Sequence, residues 1–273
     1  MKKIIKLFLK LKNSLRNLIA EIKFKYFLPY FLLLSVLISA AFLSYFYVLP
    51  MYYGYIKERQ DVKFLKQKIR IDYEKIRVFK IIKSFNSGLP VSEEKKVSNL
   101  IFNLGEKYKI NPALILAVIR VESSFNNFSY SDVGAVGLMQ IKPITGLYLI
   151  KKYGIKSKKY NYNTKYIEYL PVNYLYNPSL NIKIGARYLL SLLYEFKNLK
   201  LALFAYNVGP TLAYRTLSFT KTENGKVKFK LNANESTNRL FSDFYYGYYK
   251  RVKKYFAIYN KDIFESKKIN IKN

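Results

Sequence analysis

The 273-residue chain carries 48 Lys and Arg against 17 Asp and Glu, a formal charge of +31, with 51% hydrophobic residues and neither cysteine nor histidine. The missing cysteine excludes disulfides, a lipidated cysteine anchor, thiolate metal sites and cysteine nucleophiles, and the missing histidine excludes a Ser-His-Asp triad. No metal or cofactor is expected, and acid–base chemistry near neutral pH falls to Asp, Glu, Lys or Tyr, most readily to a carboxylic acid of raised pKa.

The first 25 residues contain eight basic residues (Lys2, Lys3, Lys6, Lys10, Lys12, Arg16, Lys23 and Lys25) and one acid, Glu21. Residues 26–50 (YFLPYFLLLSVLISAAFLSYFYVLP) then carry no charge. About 20 apolar residues in a helix cross a bilayer core, and Tyr26, Tyr30, Tyr45 and Tyr47 fall near the ends, where amphipathic rings favour the interface. The expectation is a single-pass signal anchor with a basic cytoplasmic N-terminus and the remainder on the extracytoplasmic side. A cleaved signal peptide ending at Ser39-Ala40-Ala41 is the competing reading, but the apolar run outlasts a signal core of about 7–15 residues.

Beyond the run, residues 51–89 mix charged positions with Leu65, Ile69, Ile76 and Phe79, an imperfect heptad stripe that predicts a helical stalk. Asn86-Ser87-Gly88-Leu89-Pro90 breaks it. Ser92 before Glu93 and Glu94 reads as an N-cap with acids in the first turn of a helix reaching Tyr108. Asn111-Pro112 and Asn177-Pro178 repeat an N-cap followed by proline at the first helical position, for helices reaching Glu122 and Phe196. A further helix covers Leu199 to Tyr206. Phe219–Lys221 and Val227–Lys230 flank Asn224-Gly225, a hairpin signal, and Asp243 to Ile263 reads as helical again. The division is therefore a basic N-terminus over 1–25, an anchor over 26–50, a stalk over 51–89, a mainly α domain with one small β-hairpin over 90–260, and a basic tail over 261–273.

Three clusters carry candidate chemistry. In Arg120-Val121-Glu122-Ser123-Ser124-Phe125, Glu122 closes the apolar helix ALILAVI, where desolvation would raise a carboxyl pKa and suit a general acid. The bland alternative is an ordinary glutamate near a helix end. In Gly134-Ala135-Val136-Gly137-Leu138-Met139-Gln140-Ile141, two glycines three apart permit tight turns and close approach of a ligand, without the Gly-Lys-Ser/Thr end of a phosphate loop. In Ala205-Tyr206-Asn207-Val208-Gly209-Pro210, a helix runs into a Gly-Pro stop and offers a ring and an amide, a pair suited to sugar recognition.

Their order, Glu-Ser, then Gly-Leu-Met-Gln, then Ala-Tyr-Asn-x-Gly, resembles the soluble lytic transglycosylase family, related in fold to goose-type lysozyme. The likeness spans about residues 92–258 and includes Asn177-Pro178-Ser179-Leu180-Asn181-Ile182 and Gly185-Ala186-Arg187-Tyr188-Leu189. It implies a lysozyme-like helical domain with a small β element and a glycan-binding groove. By similarity Glu122 would protonate the oxygen between N-acetylmuramic acid and N-acetylglucosamine, then act as base on the muramic C6 hydroxyl to close a 1,6-anhydro ring. Ser123 would polarise groups near the scissile sugar, and Asn207 would orient the acid or the substrate. Gly137, Leu138, Met139 and Gln140 would line the groove, Met139 against a sugar face, with Tyr206 packed near the acid. The family's C-terminal Glu-Thr-Arg-x-Tyr is Phe244-Tyr245-Tyr246-Gly247-Tyr248 in this chain, so Tyr248 fits the signature tyrosine while the Glu-Thr-Arg side chains are missing.

The resemblance also accounts for a single carboxylate, since the substrate's N-acetyl group would replace the second one that most glycosidases use. Asp132 reads as a turn residue in Ser131-Asp132-Val133-Gly134. The Lys- and Tyr-rich stretch 151–176 is longer than the family pattern and is expected to be a loop over the groove. Peptidoglycan strands and a membrane are the implied partners. No zinc-finger or RRM signature accompanies the positive charge, so nucleic acid is not expected, and the charge reflects either an anionic envelope or lysine-rich composition. Two alternatives stay open: a muramidase that uses water on the same bond, and a non-catalytic glycan-binding scaffold.

Overall fold

The computed structural model describes residues 2–156, 168–221, 227–231 and 235–264. By its internal contacts the chain divides into two units, Met1–Ile69 and Arg70–Asn273. The first holds α1 (Lys2–Leu43), a π-helical turn at Ser44–Val48 and the beginning of α2 (Leu49–Lys83). Its side chains are almost all exposed, Leu34, Leu37, Ile38, Phe42 and Leu43 among them. Among the described residues one helical stretch is long and apolar enough to cross a membrane, and its most apolar part has none of its residues buried.

The second unit begins at Arg70 and so takes in residues the sequence assigns to the stalk. The heptad stripe is not the face that packs: Ile69 and Ile76 are exposed, whereas Val78 and Ile82 are buried with the main core. Those two residues stand one helical turn apart and form an i, i+4 pair, which suits a helix covering its own domain. The Lys75 carbonyl accepts from Ser98 Oγ at 3.1 Å, tying α2 to α3 (Val91–Tyr108).

Pro90 rather than Ser92 caps α3. Its ψ of 149° is extended, and its carbonyl accepts from the amides of Glu93 at 2.9 Å and Glu94 at 3.0 Å. The proline fixes the entry conformation, and Ser92 falls inside the helix. Glu94 instead accepts from the buried Ser87 Oγ at 2.6 Å. The two Asn-Pro starts behave differently, because an asparagine oxygen can reach the free amides while proline holds φ. Asn111 Oδ1 accepts from Ala113 N at 2.9 Å to open α4 (Pro112–Ser123), and Asn177 Oδ1 accepts from Leu180 N at 2.8 Å to open α7 (Pro178–Phe196).

Between α4 and α7 lie α5 (Pro143–Tyr153) and the single turn α6 (Val172–Leu175). After α7 come α8 (Leu199–Val208) and α9 (Pro210–Thr216). Pro210 does not end the helical region; it occupies the first position of α9, where the missing amide proton costs nothing. Leu217–Lys221 (β1) pairs antiparallel with Val227–Leu231 (β2), Leu217 opposite Leu231. The Asn224-Gly225 turn, the middle of the 151–176 loop and most of the basic tail lie outside the described residues. α10 (Glu235–Asp243), a π-helical turn at Phe244–Tyr249 and α11 (Lys250–Phe264) follow.

The centre of the unit is α4, whose residues Ala113 to Ile119 are all buried. A helix that is apolar on every face must be enclosed by other elements. α11 lies along it, with Asn111 Nδ2 donating to Asn260 Oδ1 at 2.7 Å and Phe125 meeting Tyr259 edge to face. The last turn of this enclosed helix carries Glu122.

Candidate active site

Glu122 keeps part of its surface open, so a ligand can reach it, yet packing around its carboxyl group raises the pKa from 4.5 to about 7. Burial is the main cause. Two influences work against it, the hydrogen bond from Tyr248 and the positive charge of Arg251, and desolvation outweighs both. Tyr248 Oη donates to Glu122 Oε1 at 2.5 Å. Tyr248 is itself buried in the π-helical turn, stacked on Phe244, and its own pKa is raised by burial and by the neighbouring carboxylate. A carboxyl group near neutrality is protonated in one fraction of molecules and ionised in the rest, which lets one side chain serve as acid and then as base.

The chain turns sharply after Glu122. Ser124 and Phe125 both adopt the left-handed conformation, with φ of 53° and 66°. Non-glycine residues hold such angles only where their surroundings enforce them. Here Phe125 is buried to 1% exposure against Phe85.

The Gly134–Ile141 loop lies beneath this turn as a support. Ser123 Oγ donates to the Leu138 carbonyl at 2.8 Å and also lies 3.1 Å from the Ile119 carbonyl. Tyr206, on α8, donates to the Met139 carbonyl at 2.8 Å, and burial, reinforced by the charge of Glu122, pushes its pKa up. Asn181, fully buried on α7, binds the loop twice and the end of α6 once. Its Oδ1 accepts from Met139 N at 2.8 Å, and its Nδ2 donates to the carbonyls of Val136 at 2.8 Å and Leu175 at 2.9 Å. One turn further along α7, Gly185 faces Met139 so closely that an added Cβ would lie 2.6 Å from the methionine Cβ. Gly137 is held at φ 79° with the Leu175 carbonyl where a side chain would begin.

These contacts change the expected assignment of the loop. Leu138 and Met139 are buried at 2% and 0% exposure, so neither side chain stands on a sugar-facing surface. Gln140 Nε2 donates to the carbonyls of Ser129 at 3.1 Å and Gly137 at 3.0 Å, so its amide protons close the loop on itself. The Ser123 hydroxyl faces inward in the same way. Asn207 is exposed at the end of α8. Asp132 is an exposed turn residue, with Gly134 N donating to the Ser131 carbonyl at 2.9 Å. Glu122, Ser123, Tyr206 and Tyr248 come together, and Gly137, Leu138, Met139 and Gln140 support them from below.

Asn181 falls within the family-like stretch 177–182, and the motifs alone assign it no role. A polar residue between Leu180 and Ile182, on a helix whose inner face is otherwise apolar, was the available signal. Arg251, whose charge reaches Glu122, carries no such signal in the sequence, and neither does Phe85, whose ring stacks on Phe125.

A helical domain that presents one partly open carboxylic acid of near-neutral pKa, gripped by a buried tyrosine, has the chemistry a general acid–base site requires. Residues 99–229 match the family model "Transglycosylase SLT domain", so the likeness carried by the three motifs holds across that segment. Tyr248 lies beyond the match. The chain is 36% identical over 98 residues to the membrane-bound lytic murein transglycosylase C of Actinobacillus pleuropneumoniae, covering 36% of this chain and 24% of that protein. It is 30% identical over 137 residues to the membrane-bound lytic murein transglycosylase E of Buchnera aphidicola, covering 47% and 57% respectively. Against the 70 kDa soluble lytic transglycosylase of Escherichia coli the identity is 26% and the TM-score 0.43, over 59% of this chain and 24% of that one. The chain thus spans about a quarter of the length of the first of these relatives and somewhat over half of the second.

Proposed function

We propose that the chain is a membrane-anchored lytic transglycosylase acting on peptidoglycan, with Glu122 as both acid and base. The observation that carries this reading is the state of Glu122: partly open, desolvated to a pKa of about 7 and hydrogen-bonded by Tyr248. Protonated Glu122 gives its proton to the glycosidic oxygen between N-acetylmuramic acid and N-acetylglucosamine as the C1–O bond breaks. The carboxylate so formed then takes the proton from the muramic C6 hydroxyl while O6 bonds to C1. No water is consumed, the product ends in 1,6-anhydro-muramic acid, and the acid is restored. The substrate's N-acetyl group steadies the positive charge at C1. Tyr248 holds the Glu122 carboxyl at a fixed rotation, and exposed Asn207 contacts the glycan. Ser123, Tyr206 and the Gly137–Gln140 loop keep the turn rigid.

The helix containing residues 26–50 spans the membrane with the basic N-terminus in the cytoplasm and the catalytic unit outside. The names of the two membrane-bound relatives and the apolar, uncovered helix support the anchor, and the excess of Lys and Arg before it supports the orientation.

The test is mass spectrometry of purified peptidoglycan digested by the full chain in detergent, beside Glu122→Gln. Anhydro-muramyl ends that vanish in the variant are expected. Reducing ends one water heavier would move the reading to a muramidase. Binding without cleavage would make the chain a scaffold.

A further inference from the structure

Phe85 lies ahead of the segment that matches the family model, in the chain between α2 and α3, yet it touches both sides of the Glu122 turn. Its ring stacks on Phe125 with centroids 4.6 Å apart and planes at 14°. The Arg120 guanidinium sits over the same ring at 4.5 Å and over Tyr255 of α11 at 5.3 Å. Two residues before Glu122 and three after it, the chain is thus gripped by a single side chain. The neighbouring residues add to the grip. The Ser87 carbonyl accepts from Asn127 N at 3.0 Å, and Gly88 approaches Phe128 so closely that an added Cβ would lie 3.0 Å from its ring. Ser87 is itself fixed through Glu94.

Ser124 and Phe125 hold left-handed angles, and relaxing them would swing the end of α4 that carries the acid. A stacked ring on Phe125 and a cation held over that ring oppose the relaxation from two directions. We infer that Phe85 is a positioning residue for Glu122, so that the segment 85–88 belongs to the catalytic apparatus and is not a spacer. The inference rests on the reading of Glu122 as the reacting acid. The property that matters is the flat ring, since apolar volume alone would fill the space without stacking or holding Arg120.

The experiment compares full-length wild type with Phe85→Leu and Phe85→Tyr in detergent. Two readouts are taken: steady-state release of anhydro-muramyl product, and the titration of Glu122 by carboxyl carbon NMR, assigned by its loss in Glu122→Gln. Phe85→Leu is expected to lower kcat by about 10- to 100-fold while KM changes less than about two-fold. It should also move the Glu122 titration down from about 7, as water enters the loosened turn. Phe85→Tyr should restore both. Phe85→Leu with unchanged titration and unchanged kcat overturns the inference, as does a loss no larger than the unfolded fraction measured by circular dichroism. If the wild type itself releases no anhydro product, the functional reading fails, and the titration still decides whether Phe85 governs the environment of Glu122.

Discussion

Tyr248 donates its hydroxyl proton to Glu122 Oε1 at 2.5 Å across 126 residues of chain, joining the π-helical turn at Phe244–Tyr249 to the end of α4. This bond favours the ionised carboxyl, opposing the upward effect of burial. Replacing Tyr248 with Phe removes the donor and keeps the ring stacked on Phe244. Glu122 should then titrate higher than its present value of about 7. Because the proposed first step uses the protonated acid, the alkaline limb of the kcat/KM profile should move to higher pH. The maximal rate should fall by roughly ten-fold as the carboxyl loses its fixed rotation. A pH–rate profile of Tyr248→Phe checks both, and an unmoved alkaline limb would sever Tyr248 from the acid.

Stability should carry the same signature with a definite sign. Glu122 has a folded pKa of about 7 against 4.5 for the unfolded chain, so folding favours its protonated form. Below pH 4.5 both states bind the proton and the group leaves stability unchanged. As pH rises from 4.5 to 7 the unfolded chain ionises first, and the folded state loses stability until both are ionised. Glu122→Gln removes this dependence and can still accept from Tyr248. It should abolish turnover and leave stability near wild type at pH 4. By pH 8 it should be more stable than wild type by up to about 3 kcal/mol. Urea melts of the two proteins at both pH values make the comparison.

Asn181 is the principal polar tie between α7 and the loop, and its three partners are all backbone groups. Asn181→Leu keeps the branched shape but leaves the Met139 amide and the Leu175 carbonyl buried without their partner, while the Val136 carbonyl still accepts from Ile141 N at 3.0 Å. Each unmet group costs about 1–3 kcal/mol before relaxation. A loss of roughly 3–5 kcal/mol is therefore expected in chemical denaturation. Activity should fall even in the folded fraction, because Met139 also supplies the acceptor for Tyr206.

Part of this arrangement is legible in the chain itself. Asn111-Pro112 and Asn177-Pro178 announce α4 and α7 because cap and proline act locally, through bonds within three residues. Glu122 stands out because it is the one acid of α4 and follows the unbroken apolar run of residues 113–119. Ser92 misleads for the opposite reason: the helix opens two residues earlier, at Pro90, whose carbonyl takes the Glu93 and Glu94 amides with no side-chain cap, and Glu94 turns to Ser87 instead. The packing face of α2 is equally hidden, since the stripe through Ile69 and Ile76 and the stripe through Val78 and Ile82 are both apolar. Only the partners decide between them. The places of Leu138, Met139 and Gln140 are not legible in the sequence, because a glycine-bounded loop reads the same whether it faces a ligand or underlies one.

Gly185 gives the most direct test of the loop as a support. An added Cβ there would lie 2.6 Å from the Met139 Cβ, a point on the side chain that cannot swing aside without moving the backbone. That backbone supplies the amide bound by Asn181 and the carbonyl bound by Tyr206. Gly185→Ala should therefore destabilise the fold by about 1–3 kcal/mol through overpacking, although alanine is the better helix former by about 1 kcal/mol. Met139→Ala should cost about 2–5 kcal/mol by itself, as a cavity in a closed core. In the double variant the Sδ and Cε that would crowd the new methyl group are gone while the Cβ at 2.6 Å stays, so part of the overpacking is relieved and the combined loss should be smaller than the two single losses added. A double-mutant cycle by thermal or urea melting measures that coupling directly. A coupling near zero would mean the helix and the loop do not press on each other, and that the closeness of Gly185 has no bearing on how the site is held.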